Sequence, residues 1–189
     1  PEIRQAAINR IKSHIPVAAS FNAVIIIGLV RGMLKPGVTP DQATAWLCEA
    51  LQACSRAARP AAVRLALEPI NRYECTLINT VAEGLDLIRM VGEDNFGLLL
   101  DTFHMNIEEP VIQESICICG SRIFHFHVAD SNRWYPGAGH LDFPAILKTL
   151  AATGYSGFVS GEFMPKPDAA TAAKKSIENL LPVMNRLLP

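Results

Sequence analysis

Apolar residues along this chain fall into five short blocks, separated by longer stretches in which they recur every three or four positions. The blocks are FNAVIIIGLV (Phe21–Val30), AVRLALEPI (Ala62–Ile70), NFGLLLDTF (Asn95–Phe103), RIFHFHVAD (Arg122–Asp130) and SGFVSGEFM (Ser156–Met164). Blocks that are mostly apolar rather than alternating predict parallel strands covered on both faces. The stretches around them predict helices over Glu2–His14, Thr39–Arg59, Thr76–Val91, Pro110–Cys119, Phe143–Thr153 and Asp168–Leu188. Thr39 is placed to cap the second of these and Pro40 suits its first turn; Gly92 marks the end of the third. Strand, loop and helix repeat at a period of about 30–40 residues, as in βα units. The pattern therefore predicts an α/β fold, either a barrel or an open doubly wound sheet. No glycine-rich phosphate loop follows any strand; GLVRG is not GxGxxG.

Composition narrows the picture little. Half of the 189 residues are apolar and the formal net charge is −1. A near-neutral chain lacks the basic excess of a nucleic-acid footprint. The longest apolar run, Ala23–Val30, is strand-sized, so no membrane span is expected. The five cysteines form no CxxC pair. They predict buried thiols in a reducing compartment, hence a cytoplasmic location.

The chemistry sits at the strand ends. The second block ends in Glu68, the third in Asp101 with His104 beyond, the fourth in His127 with Asp130 and Arg133 beyond, and the fifth in Glu162; Arg31 follows the first. Parallel α/β folds build their sites at these carboxyl ends. One acidic residue there is usually a cap. Three carboxylates brought together would repel one another unless a cation sat among them. Two Glu, one Asp and one His form a hard, mostly oxygen ligand set, suited to Mn²⁺, Mg²⁺ or Co²⁺.

Four segments, LALEPINRYE, LLLDTFHMNIEE, HFHVADSNRWYPGAGHLDF and GYSGFVSGEF, resemble the sugar isomerase/epimerase family with xylose-isomerase-like TIM barrels. Among its groups they are most similar to ketose 3-epimerases of the D-tagatose 3-epimerase type. The likeness runs from about Phe21 to the end, and the four strand-end residues are spaced 33, 26 and 35 apart. It implies a parallel (β/α) TIM-barrel fold and one divalent metal, foremost Mn²⁺, with Mg²⁺, Co²⁺ or Zn²⁺ as alternatives. Glu68, Asp101, His127 and Glu162 would bind it, and Glu68 and Glu162 would also be the acid/base pair. His104 and Arg133 would hold substrate oxygens, and Glu74 would orient the reacting carbons. The implied reaction is epimerisation of a ketose through an enediolate. An isomerase acting on a sugar or on hydroxypyruvate shares the same ligands. A DNA endonuclease of the same fold is disfavoured, because VADSNRWYPGAGH lacks the Asp-x-His pair expected there.

A TIM barrel typically takes about 250 residues, whereas this chain has 189 and five predicted strands. The resemblance implies that residues 1–189 are one partial barrel domain, starting at the helix before the fourth strand. The strand around Val24–Leu29 would then be an open edge, predicting homo-oligomers. A truncated remnant serving only binding or assembly is the reading from a different functional class. Among the remaining residues, Asp130 is expected to orient His127 or Arg133, and His125 to be a satisfied core histidine. His140 is expected on a rim loop, Trp134 and Tyr135 over the sugar or the rim, and Cys117 and Cys119 in helix packing.

Overall fold

Each apolar block supplies a strand shorter than itself. The computed structural model describes residues 2–187. It places β1 at Ile25–Ile27, β2 at Leu65–Leu67, β3 at Phe96–Asp101, β4 at Ile123–Val128 and β5 at Val159–Gly161. The strands lie in one sheet in chain order, β1-β2-β3-β4-β5. The pairings Ile26↔Ala66, Ala66↔Gly97 and His127↔Ser160 are all parallel. Helices alternate with them: α1 (Glu2–Ser13), α2 (Ile15–Ser20), α3 (Pro40–Ala58), α4 (Val81–Val91), α5 (Thr102–Glu108), α6 (Ile112–Cys119), α7 (Phe143–Ala152) and α8 (Ala169–Leu187). This is the expected parallel α/β fold of the TIM-barrel type, with five strands among the described residues. Leu188, the expected end of the last helix, lies outside those residues.

The chain divides into two compact units, Pro1–Leu99 and Leu100–Pro189. In the first, α1 and α4 pack on α3, and Leu65, Leu67, Phe96 and Leu98 are fully buried. Thr39 caps α3 as expected, its side chain accepting the Gln42 N–H at 3.2 Å. The helix expected from Thr76 begins only at Val81. Thr80 and Glu83 close a reciprocal capping box there, and Ile78 just before it has φ 57°, outside the right-handed helical region. Asn79 pins the preceding loop by donating to the Ile70 and Cys75 carbonyls. Arg31 turns inward and donates to the carbonyls of Gly28, Glu68, Leu77 and Ile78. It is thus a structural clamp on the loops after β1 and β2.

Gly84 faces Leu98 across the α4–β3 contact, and a Cβ there would stand 2.8 Å from Leu98 Cδ1. Leu98 is fully buried. Gly84→Ala gains about 1 kcal/mol of helix propensity, but overpacking costs about 1–3 kcal/mol. We expect a net loss of stability in urea unfolding; an increase would show that Leu98 has room to move.

In the second unit, α6 and α8 pack on α7, over Ile116, Cys119, Ile146, Leu147 and Leu150. The apolar periodicity does not predict the two short helices α2 and α5. Cys117 corrects an expectation: it is exposed on α6, whereas Cys119, two residues further on, is buried. All five cysteines are free thiols. At β1, Ile26 is 40 % exposed and Leu29 56 %, so the apolar surface expected around this strand is present.

Candidate metal centre

In the second unit, three consecutive strand ends each supply a ligand-type side chain. Asp101 is the last residue of β3 and also the cap of α5. Its Oδ1 accepts the Phe103 and His104 N–H groups at 2.8 and 3.2 Å. That pair of bonds is why the strand turns directly into a helix here. His127 projects from β4, and Glu162 follows β5, where its N–H donates to Val128 O at 3.2 Å. His127 Nδ1 lies 3.2 Å from Glu162 Oε2 and 3.9 Å from Asp101 Oδ2. Asp101, His127 and Glu162 each offer a ligand atom within 4.8 Å of the others.

The electrostatics differ between the two carboxylates. Asp101 is 2 % exposed. Burial pushes its carboxyl up to about 6; the His104 N–H and the His127 charge pull the other way, while the Glu162 charge adds to the rise. Glu162 is 47 % exposed on its side chain, and the hydrogen bond from His127 holds it below the usual carboxylate range, helped by the charges of His127, Arg133 and His104. Asp101 Oδ2 is buried, and among the described residues no donor reaches it within hydrogen-bond distance. A buried, ionisable oxygen facing an imidazole and a second carboxylate is what a divalent cation would satisfy. The residues present therefore fit such an ion.

His104 is buried with its N–H on Asp101. Arg133 lies in the loop after β4, its guanidinium carbon 4.9 Å from the Phe103 ring centroid. His125 bonds Ser160 Oγ through Nε2 at 2.7 Å and meets the His127 ring edge-on at 5.0 Å between centroids. Burial lowers the His125 pKa, with the neighbouring His127 adding to it. His125 is thus a satisfied, partly buried histidine, as expected. Ser160 and Phe103 escape a reading of the sequence alone. Ser160 is detectable in principle, because period two places it on the same face as Glu162.

Glu68 and Glu74 belong to the first unit. Glu68 follows β2, is 6 % exposed, and extends the pairing by donating its N–H to Ile27 O at 3.2 Å. A Cβ on Gly28 would approach its Oε2 to 3.3 Å, so the glycine leaves the carboxylate room. Glu74 sits in the next loop, where Asn71 Nδ2 donates to its Oε1 at 3.0 Å.

Parallel βα units with metal-type donors at the strand ends define the class of protein in which catalysis is built on barrel strand termini. This chain belongs to the xylose isomerase-like TIM barrel family, which it matches over residues 1–183. It is 43 % identical over 113 residues to an L-ribulose 3-epimerase of Mesorhizobium japonicum, covering 60 % of this chain and 38 % of the relative. Against a ketose 3-epimerase of Arthrobacter globiformis the identity is 31 %, covering 83 % of this chain and 55 % of the relative. Its fold overlays on a crystal structure of D-psicose 3-epimerase from Clostridium cellulolyticum H10 solved with D-tagatose. The TM-score is 0.87 at 26 % identity, covering all of this chain and 73 % of the other. The chain spans 38 % of the length of the first curated relatives it matches. No helix among the described residues is long and apolar enough to cross a membrane.

Proposed function

We propose that this chain carries the catalytic part of a metal-dependent ketose epimerase, with Glu68, Asp101, His127 and Glu162 holding one divalent ion, Mn²⁺ foremost. The observation that carries the reading is the cluster of Asp101, His127 and Glu162, with the buried Asp101 Oδ2 available to a cation. The similarity to ketose 3-epimerases supports the substrate class.

A proton beside a ketose carbonyl is weakly acidic. A bound divalent ion would stabilise negative charge as it grows on the substrate oxygens. Glu162, held ionised by His127, is suited to take that proton as a base. Glu68, on a different strand, would return a proton to the other face. Arg133 and His104 would bind substrate oxygens, and Glu74 would orient the reacting carbons.

The test is a ketose panel incubated in D₂O with the protein, with and without Mn²⁺, followed by NMR. Metal-dependent loss of the C3 proton with appearance of the C3 epimer is the expected result. Aldose formation instead would mark an isomerase. No exchange on any ketose would leave a binding or assembly role and sink the epimerase reading.

A further inference from the structure

The loop after β4 is organised around one buried carboxylate. Asp130 has no exposed surface. Its Oδ1 accepts the N–H groups of Ser131 and Leu141 at 2.7 and 3.2 Å, and its Oδ2 accepts that of Gly137 at 2.7 Å. The Gly139 N–H is a further donor. Burial alone would raise the Asp130 pKa, but these backbone donors outweigh it and keep the carboxylate ionised. Two main-chain bonds tighten the turn: Asp130 N–H to Trp134 O at 2.9 Å, and Arg133 N–H to Asp130 O at 2.8 Å. The packing leaves no slack, since a Cβ on Gly139 would stand 2.2 Å from Asp130 Oδ1.

Arg133 sits inside this knot at φ 60°, a conformation that non-glycine residues adopt in only a few per cent of cases and that costs energy. From there its carbonyl accepts the Met164 N–H at 2.7 Å, which ties the loop to the segment carrying Glu162. Its guanidinium lies over the Phe103 ring, and its charge acts on Glu162. The knotted backbone thus fixes the root of a long, flexible cation and the direction in which it leaves the loop.

We propose that Asp130 is the positioning residue for Arg133: by gathering the loop's N–H groups it fixes the strained turn that sets the guanidinium over Phe103. The proposal rests on the ketose reading only for what Arg133 binds, not for where Asp130 puts it. Asp130 touches no substrate; it acts through Arg133. Asparagine at this position keeps one acceptor oxygen but turns an NH₂ group toward backbone donors, so the loop loses part of its anchor.

The experiment compares the parent, Asp130→Asn, Arg133→Lys and the double variant. Its first readout is the NMR signal of the Arg133 side chain, shifted by the Phe103 ring current and assigned through its loss in Arg133→Lys. Its second is KM and kcat on the ketose panel. The expected result is that Asp130→Asn moves the Arg133 signal to the position of a solvent-exposed arginine. KM rises about 10–100-fold, the range for residues that orient a site group, and the double variant is no worse than the single ones. Two outcomes overturn the proposal: an Arg133 signal unmoved in Asp130→Asn, or losses from the two substitutions that multiply. A parent silent on every ketose sinks the proposed function, while the Arg133 signal still decides the positioning role. Should Asp130→Asn fail to fold, Gly139→Ala, which crowds the same carboxylate, is read in the same way.

Discussion

If the proposed function holds, replacing Glu162 by Gln is expected to lower exchange of the ketose C3 proton with solvent by about 10²–10⁴-fold, the usual worth of a positioned general base. The amide keeps an oxygen near His127 but cannot take a proton. The parent carboxylate is suited to proton abstraction on two counts. The His127 hydrogen bond holds it ionised, and at 47 % exposure it is open to a substrate. The measurement is deuterium incorporation at C3 under saturating Mn²⁺, with the metal content of the variant determined in parallel. Exchange within a few-fold of the parent, with metal bound, removes Glu162 from the acid/base pair.

The second large effect concerns Asp101. Its carboxyl is pushed up to about 6 in the folded chain, against an ordinary value of 3.8. The folded state therefore binds this proton more tightly than the unfolded one. The resulting stability is fully present below about pH 4 and is lost as pH rises through 6. In the metal-free protein at pH 7.5, the ionised carboxylate costs on the order of 3 kcal/mol relative to its protonated form, at 1.36 kcal/mol per pKa unit. Asp101→Asn removes that cost while retaining the oxygen that caps α5. The stability of Asp101→Asn minus that of the parent, under chelation, should be largest at pH 7.5 and shrink toward pH 4. Adding Mn²⁺ reverses the order at pH 7.5. The parent gains about 4.1 kcal/mol at a thousandfold excess over Kd, more than the cost of the ionised carboxylate, and the variant gains almost nothing. Denaturant titrations at several pH values check both arms. A difference that does not change between pH 5 and 7.5 would falsify the account of Asp101.

Much of this is legible in the sequence because local and global signals agree. The Thr39-Pro40 start of α3 and the five apolar blocks are unambiguous, since caps and unbroken apolar runs admit few alternatives. Asp101, His127 and Glu162 stand out because they interrupt greasy strands at the same end. What stays hidden has physical reasons. Apolar spacing starts α4 too early because Leu77 and Ile78 share it; both carbonyls serve the Arg31 clamp, and the capping box at Thr80 overrides the spacing. Helix α5 is masked because Asp101 both ends a strand and caps a helix, so the apolar block runs through it. Cys117 resembles a packing residue by type, yet Ile116 and Cys119 already fill the inner face of α6. The loop knot around Asp130 leaves no trace in any periodicity, because its bonds go to backbone groups that nearly every residue possesses.

The bond between Asn179 on α8 and the Pro136 carbonyl, 2.8 Å long and closing a span of 43 residues, has a consequence for biosynthesis. His127, Arg133 and the whole rim loop are synthesised before the last helix. Until Asn179 emerges and docks, the Pro136 turn lacks this anchor. The Pro136 turn therefore gains its full set of anchors only once α8 has docked, and a nascent chain stalled before α8 carries Asp101, His127 and Glu162 without that bond.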